Sequence, residues 1–238
     1  MLHKITNEVK KRNWRKYALE FVSIFVAVVS AFALNNWNDH RVNKDSEQKI
    51  LSEIRNSLKI DVHDFGINIY GNKMSLKSDS LFRGLLKGEN ILQDSMAVYY
   101  IRLFRDYIPI INQSAYESLK ANNLKTVTND SLRIQIIALY DYHYSVLEKL
   151  EYEVPEMKSY KNYYARTNAI LHPFMEFDQA GNLQRFKELD KISLNEKKEI
   201  LSYLWRIRHN RIFKLRKYDQ IIGQVKKLEQ RIAKELKK

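Results

Sequence analysis

From Phe21 to Leu34 the chain is apolar or small with no charge, and beyond that stretch apolar residues recur at helical spacing. At 1.5 Å per residue the uncharged run covers about 21 Å, and Ala18 to Trp37 covers about 30 Å, the thickness of a hydrocarbon core. The pattern predicts a transmembrane helix over residues 17–37. Glu20 is its one charge, near an end where a carboxylate reaches headgroups or pairs with Lys16 one turn earlier. Trp14 and Tyr17 at one end and Trp37 at the other suit interfacial anchors. Glu20, Ser23, Ala27 and Ala31 share a stripe of that helix. Small residues so spaced let backbones approach closely in lipid, so the stripe reads as an association face.

After the span, Val42, Ile50, Ile54, Leu58, Val62, Phe65, Ile69 and Leu76 predict an amphipathic helix continuous with the anchor. Gly84 and Gly88-Glu89-Asn90 end it. A short helix follows with Met96, Tyr99, Tyr100, Leu103 and Phe104 on one face. Ile108 is extended, because Pro109 disfavours helix in the residue before it. Ser114 and Glu117 fit a capping box opening the next helix, with Asn122-Asn123 as its stop. Thr128 or Asp130-Ser131 caps a helix running to about Val154, where Pro155 interrupts. Residues 156–171 form another, ended by His172-Pro173, and Phe174–Leu183 reads as a loop. The Ser193–Glu196 capping box opens a final helix reaching about Leu236 through Ile200, Leu204, Ile207, Leu215, Tyr218, Ile222, Val225, Leu228 and Ile232. The fold class is all-α. The expected architecture is a basic leader (1–16), a transmembrane helix (17–37) and an extracytoplasmic up-and-down helical bundle (38–238) with long first and last helices.

Composition sharpens this picture. Six Gly and three Pro in 238 residues are too few for a sheet built on tight hairpins, and the absence of Cys excludes disulfide scaffolds, thiolate metal sites and Cys nucleophiles. The net charge of +13 is unevenly placed. Residues 1–16 carry +5 and residues 197–238 carry +10, leaving the middle near neutral. The first patch is a topology signal: six Lys/Arg precede the span and only Arg41, Lys44 and Lys49 follow closely. It puts the amino terminus in the cytoplasm and the bulk of the chain outside. The second patch, densest at Arg206, Arg208, Arg211, Lys214, Arg216 and Lys217, reads as a basic contact surface for anionic headgroups, cell-wall polymer or an acidic partner. No base-reading motif accompanies it, so nucleic acid is not an expected partner.

Tyr17, Ala18 and Glu20 open the span, and Asn35, Asn36, Trp37 and Asn38 close it before a charged helix. Ser114–Lys120 (SAYESLK) is a second marked stretch. On these residues the chain resembles a family of uncharacterised single-span membrane-anchored proteins of Bacteroidota, with a basic leader, a Tyr-Ala-x-Glu span and an Asn-Asn-Trp-Asn exit. The family's usual mid-span Gly is replaced by Ser30 and Ala31. The resemblance implies an uncleaved anchor in the inner membrane and supplies no reaction. It also implies O-glycosylation at Asp79-Ser80, Asp94-Ser95 and Asp130-Ser131, which read from the chain alone as helix N-caps.

Candidate chemistry is sparse. No two of the six His residues stand three or four apart, and phosphate-cradling and nucleophile-elbow motifs are missing. Asp61, His63 and Asp64 are close, but residues two apart point to different helix faces, so they read as exposed helix polar groups. The tyrosines at 140, 142, 144, 152, 160, 163 and 164 admit two readings, an aromatic recognition surface or small-molecule pocket between helices and bundle core and rim, of which core and rim is the expectation. The expectation is a non-enzymatic, cofactor-free scaffold or sensor-like subunit. Its expected partners are the lipid bilayer and either further copies of itself or a membrane protein. Two alternatives remain open: an oligomeric pore or effector subunit lined by the Glu20 face, and a secreted basic binding protein cleaved after Ala33, where Ala31-Phe32-Ala33 resembles a signal-peptidase site.

Overall fold

The structure, a computed structural model, describes residues 2–91, 93 and 95–238, with side chains from Trp14 onward except Arg15. The side chains of residues 1–13 fall outside that set, as does Asp94. Two compact units divide the chain, residues 1–50 and 51–238. The described residues contain seven α-helices and one short hairpin, joined by short 3-10 and π turns and loops: α1 (Leu2–Leu86), α2 (Met96–Phe104), α3 (Ser114–Asn122), α4 (Asp130–Ile137), α5 (Ser145–Tyr152), α6 (Ala165–Leu171), β1 (Met175–Phe177), β2 (Leu183–Phe186) and α7 (Leu194–Glu235). The protein is all-α apart from that hairpin.

In the first unit, α1 contains a window of mean hydropathy 2.1 with no buried residue. Phe21, Phe32 and Leu34 are 70%, 77% and 66% exposed. The helix is long and apolar enough there to cross a membrane.

In the second unit, buried positions follow one rule on both long helices. On α1, Leu51, Ile54, Leu58, Asp61, Phe65, Asn68, Asn72, Ser75, Asp79, Phe82 and Leu86 stand alternately three and four residues apart, and all are buried. On α7 the same alternation runs Ile200, Leu204, Ile207, Arg211, Lys214, Tyr218, Ile221, Val225, Leu228 and Ile232. That is the 3.5-residue repeat of helices packed along a seam. Contacts between the two are antiparallel: Arg55 Nε donates to Glu229 Oε1 (2.7 Å), Arg211 Nη1 to Asn72 Oδ1 (3.3 Å) and Arg208 Nη1 to Asp79 Oδ2 (3.1 Å). One end of the domain is closed by an apolar cluster in which Phe82, Tyr100, Phe104 and Phe186 pack with ring centroids 5.5–5.7 Å apart. The seam is polar midway between its ends.

Several local expectations change. The loop at Phe174–Leu183 contains β1 and the start of β2, an antiparallel pair. Asp178 organises its turn by accepting from Ala180 N (2.9 Å) and Asn182 N (2.7 Å), and Gly181 supplies the positive φ of 81°. Helices expected to be continuous contain π turns at Ala138–Tyr144 and Tyr160–Tyr164. Ser193 and Glu196 do form their capping box. Ser114 and Glu117 do not: Gln113 is the N-cap of α3, and Ser114 Oγ bonds Asn112 Oδ1 at 2.9 Å. Asn112 and Gln113 are held by tertiary partners, Asp61 and Glu148, and these contacts place the helix start. Asn129, between the two expected caps, accepts from Leu132 N at 3.1 Å. Asp79 is no N-cap either, since it lies buried inside α1 between Arg83 and Arg208. Ser95 occupies the N-cap position of α2 without a side-chain cap bond.

Candidate functional site

Residues 105–113, between α2 and α3, are neither helix nor strand. A segment without a ladder must find other partners for its N–H and C=O groups. Here side chains supply them, all buried except the half-buried Asp64. Arg211 Nη2 donates to Arg105 O (2.6 Å) and Tyr218 OH to Tyr107 O (3.1 Å). Ile110 N donates to Asp64 Oδ2 (2.7 Å) and Asn112 N to Asp61 Oδ1 (2.8 Å). Ser75 Oγ donates to Leu103 O just ahead, at 3.2 Å. The polar middle of the α1–α7 seam is thus the bed on which this strap lies.

The bed is internally paired. Tyr144 OH donates to Asp61 Oδ2 at 2.7 Å. Lys214 Nζ reaches Glu151 Oε2 at 2.5 Å, and the one Tyr218 hydroxyl proton is shared between Tyr107 O and Glu151. Arg211 Nε donates to Ser75 Oγ at 3.2 Å. Burial pushes the Asp61 carboxyl up to about 6, against the opposing bonds from Asn112 and Tyr144, and the like charge of Asp64 adds to it. Burial also lowers the Lys214 ammonium and the Arg211 guanidinium from their usual values, while Glu151 opposes both shifts. The Tyr144 and Tyr218 hydroxyls are held well above the usual phenol range, first by burial and then by Asp61 and Glu151 respectively.

The Tyr107 ring packs directly on α1 at Gly71, where there is no side chain. A Cβ there would stand 2.2 Å from the Tyr107 ring. The Arg211 guanidinium covers the ring at 5.5 Å. Gly71→Ala is expected to cost about 1–3 kcal/mol through overpacking, although Ala is the better helix former. Gly66→Ala, with nothing within 4 Å, is the control, and should gain about 1 kcal/mol. Thermal melting of the two full-length variants checks the opposite signs.

The expected basic contact surface is corrected at its centre. Arg211 and Lys214 are each 1% exposed. Both occupy buried positions of the three–four alternation, between Ile207 and Tyr218, so they serve the strap and the Glu151 pair instead of solvent. Arg208 is committed to Asp79. Arg206 and Arg216 are exposed and Lys217 partly so, with Arg206 over Trp205 (5.0 Å) and Lys217 over Phe213 (5.7 Å). Compared with known protein families, curated proteins and solved structures, the chain matches none.

The remaining expected residues lie on α1. Glu20, Ser23, Ala27 and Ala31 are exposed, and Ser23 Oγ donates back to Leu19 O at 2.8 Å. Trp14, Tyr17 and Trp37 are exposed as well, with Arg41 over the Trp37 ring at 5.3 Å. His63 is exposed as expected, but Asp61 is fully buried, which corrects its reading as a surface group. Among the tyrosines, Tyr140 and Tyr144 are core, whereas Tyr142, Tyr152 and Tyr160 are exposed. No cluster of three or more potential metal ligands occurs among the described residues. The residues whose role as the bed of the strap was missed from sequence are Asp61, Asn72, Glu151 and Tyr218. For Asp61 and Asn72 the signal was present on α1, where polar residues interrupt an otherwise unbroken alternation of apolar positions, whereas Glu151 lies on α5, outside both long helices.

Proposed function

We propose that this is a single-span, membrane-anchored helical protein that acts without catalysis, as a scaffold or sensor-like subunit that self-associates or binds a partner. The observation that carries the reading is the uncharged helical stretch Phe21–Leu34, exposed at every residue. An aqueous protein does not leave so large an apolar surface uncovered, and a bilayer would cover it. The aromatic residues at both ends of the stretch and the positive charge ahead of it support an inner-membrane span with residues 38–238 outside. The resemblance to membrane-anchored proteins of Bacteroidota points the same way. The strap is the element through which binding would be felt, because α1 supplies Asp61 and Asp64 to it and also contains the span. Its neighbours form an up-and-down bundle in this reading.

Alkaline extraction of membranes should leave the full chain in the pellet. Val26→Arg with Val29→Arg should release it, since each central Arg costs about 2.5–3.5 kcal/mol. A mature chain starting at Leu34 by amino-terminal sequencing would sink the anchor. Protection of residues 38–238 from protease added outside the cytoplasm would overturn the orientation.

A further inference from the structure

We infer that the cleft between α2 and the Tyr160–Tyr164 π turn is a binding site for a neutral saccharide. It encloses about 490 Å³ and is lined by Tyr100, Ile101, Phe104, Arg105, Asp106, Tyr160 and Tyr164. Tyr160 stacks on Tyr164 with centroids 4.7 Å apart and planes at 12°, and Tyr164 in turn meets Phe104 edge-on at 5.5 Å. Tyr160 is 57% exposed, so the inner rings are fixed by packing while the outer one stands free. Tyr100 OH is already used on Asn168 Oδ1 (3.0 Å), which holds the cleft wall.

The rim carries one cation and one anion. Among the described residues Arg105 makes no ion pair and stands over the Tyr107 ring at 6.0 Å, and Asp106 accepts from Ser159 N at 2.9 Å. One positive and one negative group beside stacked rings disfavour a polyanion, which Asp106 repels. They also disfavour a quaternary ammonium, which Arg105 repels. A sugar ring satisfies each element. Its C–H face covers a tyrosine ring, and adjacent hydroxyls accept from the guanidinium and donate to the carboxylate. The site also reports to the strap, because Arg105 and Asp106 are its first residues. The inference concerns the domain 51–238 and does not depend on the membrane reading.

The test uses the full chain in lipid nanodiscs, since glycoside detergents would compete. Cellobiose, maltotriose and N,N′-diacetylchitobiose are titrated in turn, with saturation-transfer NMR and tyrosine fluorescence as readouts. At least one should bind saturably and receive magnetisation from the protein. Tyr160→Ala should weaken it about tenfold, Tyr160→Trp should retain it, and Tyr142→Ala, an exposed tyrosine outside the cleft, should leave it unchanged. Circular dichroism confirms that each variant is folded. Absence of saturable binding by all three saccharides overturns the proposal, as does binding indifferent to Tyr160→Ala. Saturable binding of free phenylalanine in place of sugars would show a zwitterion site and also overturn it.

Discussion

Glu151→Ala is expected to lower the thermal midpoint of the full chain by roughly 10 °C. Glu151 and Lys214 are each 1% exposed, and Glu151 is the only carboxylate paired with that ammonium among the described residues. Removing one partner leaves the other charge buried and uncompensated, which costs about 3–5 kcal/mol. Tyr218 loses an acceptor in the same step, though it keeps Tyr107 O. The double variant Glu151→Leu with Lys214→Met should recover at least half of the loss, because it removes the desolvation cost together with the attraction. Melting curves by circular dichroism give both numbers. Equal, small losses in the single and double variants would mean that Lys214 reaches water and that the pair does not organise the bed.

Asp61→Asn is expected to stabilise the protein at pH 8 and to leave it nearly unchanged at pH 4. The Asp61 carboxyl titrates at about 6 in the folded protein, raised from 3.8. The folded state therefore holds its proton more tightly than the unfolded chain. That contribution to stability is complete below pH 4 and is lost as pH rises through 6. Two pH units correspond to about 3 kcal/mol at most. The amide can still accept from Asn112 N and offers Tyr144 a donor, so the geometry is preserved. The quantity to measure is the difference in melting midpoint between variant and parent from pH 4 to 8. A difference independent of pH would show that Asp61 is solvated.

Part of the site was legible and part was not, for reasons particular residues make plain. Pro109 announced the extended strap, and Asn122 and Ser193 announced helix boundaries, because backbone chemistry acts locally. Ser114 misled, since the same local rule was outweighed by Asp61 and Glu148 gripping the two residues before it. Arg211 and Lys214 misled because charge was read as exposure. Their spacing from Ile207 and Tyr218 placed them on the inner stripe, and spacing decided. Glu151 could not be found at all, because its partners lie 63 and 67 residues away in sequence.

By itself the sequence determined the helical class, the apolar span, the long first and last helices and most of their ends. These follow from periodicity, hydropathy and capping, which act over a few residues. Only the tertiary structure decided that the middle of the seam is polar, that the strap lies on it and that a tyrosine cleft opens beside its first residues. Those features depend on groups brought together from α1, α5 and α7 and from the turns between helices. A buried charge is stable only beside partners that the fold, and not the neighbouring sequence, supplies.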